Sequence, residues 1–207
     1  MTENEKHDVG ATWEGCLSTV PTRSKKEYKT FKELWMKLCQ AAAAGDAEKT
    51  RKLLSDGACA GHGHSLPLRL ASRKGHRECV KQLIPFSNGW GVGQSSAGRI
   101  SALEEAAGQG RRACVELLIS APGIEPDVWT GLTHAAFWCQ LDCVDLLLPL
   151  IGVERSESLM SLALRIESIG AETGDVVVEM LRARCESLAL EQAAGKAIPA
   201  NRAAIRI

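Results

Sequence analysis

SLPLRLASRKGHRECVKQLI, Ser65 to Ile84, is the stretch that decides how this chain folds. Leu68 and Ala71 stand three apart, so a helix places them on one face. Gly75 follows, and glycine readily takes the left-handed conformation that ends a helix. Beyond it, Val80, Leu83 and Ile84 have the spacing of a second helix. The stretch therefore specifies two short antiparallel helices turned at Gly75.

The same columns recur on either side, in WMKLCQAAAAGDAEKTRKLL, RISALEEAAGQGRRACVELLI and WTGLTHAAFWCQLDCVDLLL. A leucine opens each unit (Leu38, Leu68, Leu103, Leu132), and an alanine follows three positions later (Ala41, Ala71, Ala106, Ala135). Next come Gly45, Gly75, Gly110 and, as the exception, Cys139; Leu53, Leu83, Leu118 and Leu147 close the units. The opening leucines step by 30, 35 and 29 residues. The alanines, with Ala42, Ser72, Ala107 and Ala136 beside them, leave room for a neighbouring helix. One such pair cannot bury its apolar face alone; stacked neighbours can, which is the logic of a solenoid.

These residues resemble the ankyrin repeat, whose pattern runs TPLHxAAxxGH into a second helix ending in paired leucines. Pro67 and Leu68 match its proline and first leucine, Ala71 its alanine, and Gly75-His76 its GH pair. Gly57-Ala58 resembles the GA that closes a repeat, and the likeness runs from about Phe31 to Leu150. It implies an all-α fold, an ankyrin-type solenoid of stacked antiparallel helix pairs joined by hairpin loops. Unit three departs by lacking the proline and the histidine, and the link from Ile84 to Ile100 is long and glycine-rich. A degraded fifth unit follows, with Met160 and Ala163 in its first helix and Val178 and Leu181 in its second.

Outside the repeats, residues 1–29 carry no period and are rich in Lys, Glu, Thr and Ser; they read as a mobile polar tail. Residues 30–186 form the solenoid, and 187–207 a C-terminal capping helix, SLALEQAAGK, that frays into a tail.

Composition narrows the function. The 207 residues carry 25 basic and 25 acidic side chains, and zero net charge argues against a nucleic-acid partner. The long apolar run Leu146–Val153 is broken by Pro149 and Gly152, far short of the ~20 residues a membrane helix needs. MTENEKHDVG is too polar for a signal peptide, so the expected location is cytoplasmic, with delivery into another cell left open. For the 8 cysteines this favours reduced thiols over a disulfide framework.

CAGHGHS, Cys59 to Ser65, is the stretch closest to a chemical motif. Cys59, His62 and His64 supply ligand types for zinc, or a cysteine–histidine pair for catalysis. No CxxC pair supports either reading, and the stretch falls between units, where Gly57, Gly61 and Gly63 suit a turn. The turn is preferred; a zinc-binding protein or a cysteine/histidine-dependent enzyme is the alternative. Cys79, Cys114 and Cys143 share one repeat column and read as packing residues. Glu104 and Glu105 are adjacent on a helix and diverge, so no shared acid/base site follows. No catalytic constellation, metal site or cofactor is expected.

What remains is binding. The resemblance implies a protein–protein interaction module that grips a partner protein on its concave face, as a bacterial effector, inhibitor or adaptor, and that is monomeric when free. It also implies that the two residues before the GH position face the partner: Ala43-Ala44, Arg73-Lys74, Gly108-Gln109 and Phe137-Trp138. Five tryptophans beside one tyrosine and three phenylalanines point to aromatic use on a surface. The expected partner-binding residues are Trp129, Phe137 and Trp138, with Arg73, Lys74 and Trp90 around them. Packing against an ill-fitting fifth unit is the competing reading of the rings.

Overall fold

The computed structural model describes residues 25–87, 101–121, 128–169 and 174–197, and among these the regular structure is helical throughout. The first pair is α1 (Lys25–Ala44) with α2 (Ala47–Ser55), the second α3 (His62–Lys74) with α4 (Arg77–Leu83). The third is α5 (Ala102–Gly108) with α6 (Arg112–Ile119), and the fourth α7 (Val128–Phe137) with α8 (Leu141–Leu147). The fifth is α9 (Ser156–Glu167) with α10 (Gly174–Ala197). The first helices α1, α3, α5 and α7 pack on one another in succession, and α2, α4, α6 and α8 do the same behind them. By contrast, α9 packs chiefly on α10 and only lightly on α7.

The repeat columns form the core. Leu38, Leu68, Leu103 and Leu132 are fully buried, as are Ala71, Ala106 and Ala135. In the second helices Leu83, Leu118 and Leu147 are equally enclosed. The small column lets first helices approach closely, and Gly131 extends it: a Cβ there would stand 3.0 Å from Leu103 Cγ.

The turns are built by one device used three times. Gly45, Gly75 and Gly110 have φ of +78°, +83° and +66°, which glycine adopts without the Cβ clash other residues meet. Over each lies a side chain from the next pair: His76 over Gly45, Arg111 over Gly75, Gln140 over Gly110. In the fourth pair Cys139 holds the same conformation at φ +50° despite its side chain.

Several boundaries differ from expectation. Helix α1 starts at Lys25, inside the stretch read as a tail, because the period set by Phe31, Leu34 and Leu38 carries the helix back through polar Lys and Glu residues. Residues 1–24 lie outside the described residues. At the other end, α10 passes residues 186 and 187 without a break: Val177, Leu181, Cys185 and Leu188 keep one buried stripe. The second helix of the fifth unit and the cap are therefore one element. Residues 198–207 lie outside the described residues.

The fifth unit also sits one residue from its expected alignment. Met160 is 41% exposed, whereas Leu159, Leu162, Ala163 and Ile166 are buried. Leu159 thus opens the unit, and bulky Leu162 stands where the other units have alanine. That is a physical reason for the light contact between α9 and α7. Val178 and Leu181 are buried as expected.

Candidate functional site

Helix α7 presents the aromatic residues, and its 3.6-residue period sorts them. Gly131, Leu132, Ala135 and Ala136 turn into the stack. Trp129, Thr133 and Phe137, four apart, form a stripe toward α9. Trp129 and Thr133 line a pocket of about 330 Å³ with Glu157, Ser158, Ser161, Leu162 and Arg165 of α9. His134 and Trp138, also four apart, form a second stripe toward α5. With Phe137 they line an open pocket of about 360 Å³, mostly apolar.

Trp138 is 63% exposed, and Phe137 and Trp129 are half-buried. Gly108, at the end of α5, makes room for the indole: a Cβ there would stand 3.2 Å from Trp138 Cδ1. The two half-buried rings each carry a guanidinium. Arg165 Cζ lies 4.9 Å from the centre of the Phe137 ring, and Arg155 Cζ lies 5.5 Å from that of Trp129.

The floor between α3, α5 and α7 is polar. Buried Glu104 caps its own helix with Ser101 and reaches His134, Oε2 to Nε2 3.5 Å. Glu105 turns the other way, to Arg69 at 3.2 Å and Arg73 at 3.8 Å. The two carboxylates diverge onto different neighbouring repeats, as adjacent helical residues must.

Arg73 and Lys74 are exposed in the last turn of α3. Arg73 is held by Glu105, and its carbonyl accepts from Arg111 Nε at 3.3 Å. Neither lines the aromatic pockets, which belong to α7, two repeats on. Trp90 lies outside the described residues. The sequence reading passed over Arg155 and Arg165; the four-residue spacing of Trp129, Thr133 and Phe137 marked the face they cover.

Among its described residues CAGHGHS forms no ligand cluster. Helix α3 is assigned from His62, although Gly63 and Ser65 have positive φ, so regular winding starts only near Leu66. Pro67 then sits in a first turn, where its missing N–H is harmless. The positive φ of Gly57, Gly63 and Ser65 keeps turn character across the expected stretch, and α3 winds regularly only beyond it. His62 meets Phe31 and Trp35 edge-on at 5.2 and 5.0 Å, and burial lowers its pKa. Cys59 is disulfide-bonded, which departs from the reduced-thiol expectation and removes it as a thiolate ligand or nucleophile. The His64 side chain lies outside the described residues. Among the described residues no group of three or more His, Cys, Asp or Glu is placed to hold a metal.

Cys79, Cys114 and Cys143 are free thiols at 1% exposure or less. Burial raises the pKa of each, that of Cys143 to about 11. Such thiols stay protonated and serve packing. No described helix is long and apolar enough to cross a membrane.

The family model described as ankyrin repeats (3 copies) matches residues 38–128 and 68–156. Among solved structures, the crystal structure of the human ASB11 ankyrin repeat domain is similar, at 19% identity and a TM-score of 0.47. That match covers 71% of this chain and 82% of the other. No curated protein matches.

Proposed function

This chain belongs to the ankyrin repeat family, and on that premise we propose that it is a protein–protein interaction module without catalytic activity of its own. It works in the cytoplasm as an effector, inhibitor or adaptor, is monomeric when free, and grips its partner on the first-helix face. Trp129, Phe137 and Trp138 are the anchors of that grip, with Arg73 and Lys74 at its rim. The observation that carries the reading is Trp138, 63% exposed beside half-buried Phe137 in an apolar pocket. A contiguous exposed apolar patch marks an interaction site, and aromatic anchors dominate interface energetics. Packing against the fifth unit accounts less well for an indole that faces α5 and solvent.

The test is capture of a partner by the wild-type chain and by Trp138→Ala, with the melting temperature of each measured first. A protein retained by wild type and lost by an equally stable variant supports the reading. Equal retention by both removes Trp138 from the interface.

A further inference from the structure

The fifth pair carries an apolar stripe and an acidic row side by side. On α9, Met160, Leu164 and Glu167 are spaced four and three apart, so they share one stripe, and none of them lines the pocket with α7. Met160 is 41% and Leu164 56% exposed. On α10, Asp175, Glu179, Arg182 and Glu186 are spaced four, three and four apart and form an exposed row. An ion pair of 2.8 Å between Arg182 and Glu167 joins stripe and row into one surface. Arg184, on the opposite side of α10, reaches back to the carbonyls of Pro149 and Ile151. The acidic row therefore faces away from the fourth pair.

The charge on this surface is one-sided. Arg182 is held by Glu167 and Arg184 by Glu191, whereas Asp175, Glu179 and Glu186 have no cation within 4.0 Å among the described residues. Around the α7–α9 pocket the unpaired charges balance, with Arg155 and Arg165 over their rings set against Glu154 and Glu157. The three carboxylates of the row remain in excess. A repeat at the edge of a stack ordinarily turns a polar face outward, but α9 shows two large apolar side chains there. Within the stack each first helix lies along its neighbour. The surface beside α9 has the same form, with apolar contact on one helix and anions on the next.

We propose that this surface docks a basic amphipathic helix of a partner protein. Its apolar side chains lie on Met160 and Leu164, and its Lys or Arg side chains reach Asp175, Glu179 and Glu186. The surface is separate from the Trp138 face and does not depend on it. Charge selects the occupant: an acidic helix would meet three unpaired carboxylates, and an apolar one would desolvate them without a partner. From Asp175 to Glu186 the row rises about 16 Å, which a helix of about fifteen residues, roughly 22 Å long, covers.

The test uses three labelled helical peptides of about fifteen residues: Lys-rich with a Leu stripe, Glu-rich with the same stripe, and Lys-rich with Ser in place of Leu. Binding to the full chain is read by fluorescence anisotropy at low and high salt, after the melting temperature of each variant is measured. The Lys–Leu peptide should bind best and weaken as salt screens the charges. The exposed pair Glu179→Lys with Glu186→Lys should weaken it by about tenfold or more and turn preference toward the Glu-rich peptide. Leu164→Ser should weaken the Lys–Leu peptide and leave the Lys–Ser peptide unchanged. Trp138→Ala should bind as wild type does. Equal binding of basic and acidic peptides, unchanged affinity in both end variants, loss of binding in Trp138→Ala, or no binding of any peptide would overturn the proposal. So would a sedimentation mass that rises with concentration in wild type and not in the double Lys variant, which would give the surface to a second copy of this chain.

Discussion

His76 donates through Nε2 to the carbonyl oxygen of Ala43 at 3.1 Å, across 33 residues of sequence, while its ring covers Gly45. The bond ties the start of α4 to the end of α1 and uses a carbonyl that the helix end leaves without a partner. Arg111 repeats the relationship one unit on, with its Nε to Arg73 O at 3.3 Å. The residue after the turn glycine is therefore a clamp between repeats as well as a helix starter.

His76→Ala should lose this clamp. A net hydrogen bond contributes about 1 kcal/mol, and the ring's contact with Gly45 adds to it. Urea unfolding should show a loss of about 1–2 kcal/mol, with His76→Gln recovering part because the amide keeps a donor. A variant as stable as wild type would refute the clamp.

Glycine should suit position 139 better than the native Cys139. At φ +50° the cysteine's Cβ is strained, by roughly 1–2 kcal/mol for a left-handed residue with a side chain. The thiol's partial packing against the core offsets some of the gain from removing it. In thermal unfolding, Cys139→Gly should melt above wild type. Cys139→Val should melt below both, because a β-branched residue tolerates positive φ least. A wild type more stable than Cys139→Gly would show that packing outweighs strain.

The alanine column should resist bulk. Ala106 is fully enclosed between α3 and α7, so Ala106→Leu must part the stack or distort side chains, at about 1–3 kcal/mol. Equilibrium denaturation measures it, and an unchanged midpoint would contradict the enclosure.

The repeat columns were legible because they are set by burial, and burial repeats with the period of the stack. Leu68, Ala71 and Leu83 had one environment available, and so did their counterparts. The fifth unit was harder to read because Leu162 replaces the small residue and shifts which side of α9 faces inward; Met160 matches the leucine column in sequence and solvent in space. The site divided in the same way. Exposure of Trp138 followed from its place before the turn. The arginines over Phe137 and Trp129 depend on how a loosely packed helix returns across the face, and no local spacing encodes that.

Alkaline pH should weaken the fold through Cys143. Burial first, then the Asp142 carboxylate, push its thiol up from 9.0 to about 11, while Arg112 pulls the other way. For an acid with a raised folded pKa, the unfolded chain ionises first. Between pH 9 and 11 the unfolded state therefore holds fewer protons, and stability falls as pH rises. The contribution is intact below pH 9 and diminished by about 1 kcal/mol near pH 10. Unfolding curves at pH 8 and 10 should diverge less for Cys143→Ala than for wild type. Equal divergence would show that this thiol does not ionise on unfolding.

Trp138 and Leu132 both stem from the fourth pair's first helix and its turn, yet they should respond oppositely in stability. Leu132 is fully buried against the third repeat, so Leu132→Ala removes transfer energy and leaves a cavity, at about 2–5 kcal/mol. Trp138 is 63% exposed and stands over Gly108 beside His134 and Phe137, so most of its surface is already in water. Trp138→Ala should therefore cost under about 1 kcal/mol, within the range of surface substitutions. Thermal unfolding of the two variants beside wild type decides the matter without any knowledge of the partner. If Trp138→Ala lost as much as Leu132→Ala, the indole would belong to the core, and its exposed face would no longer stand as an anchor for binding.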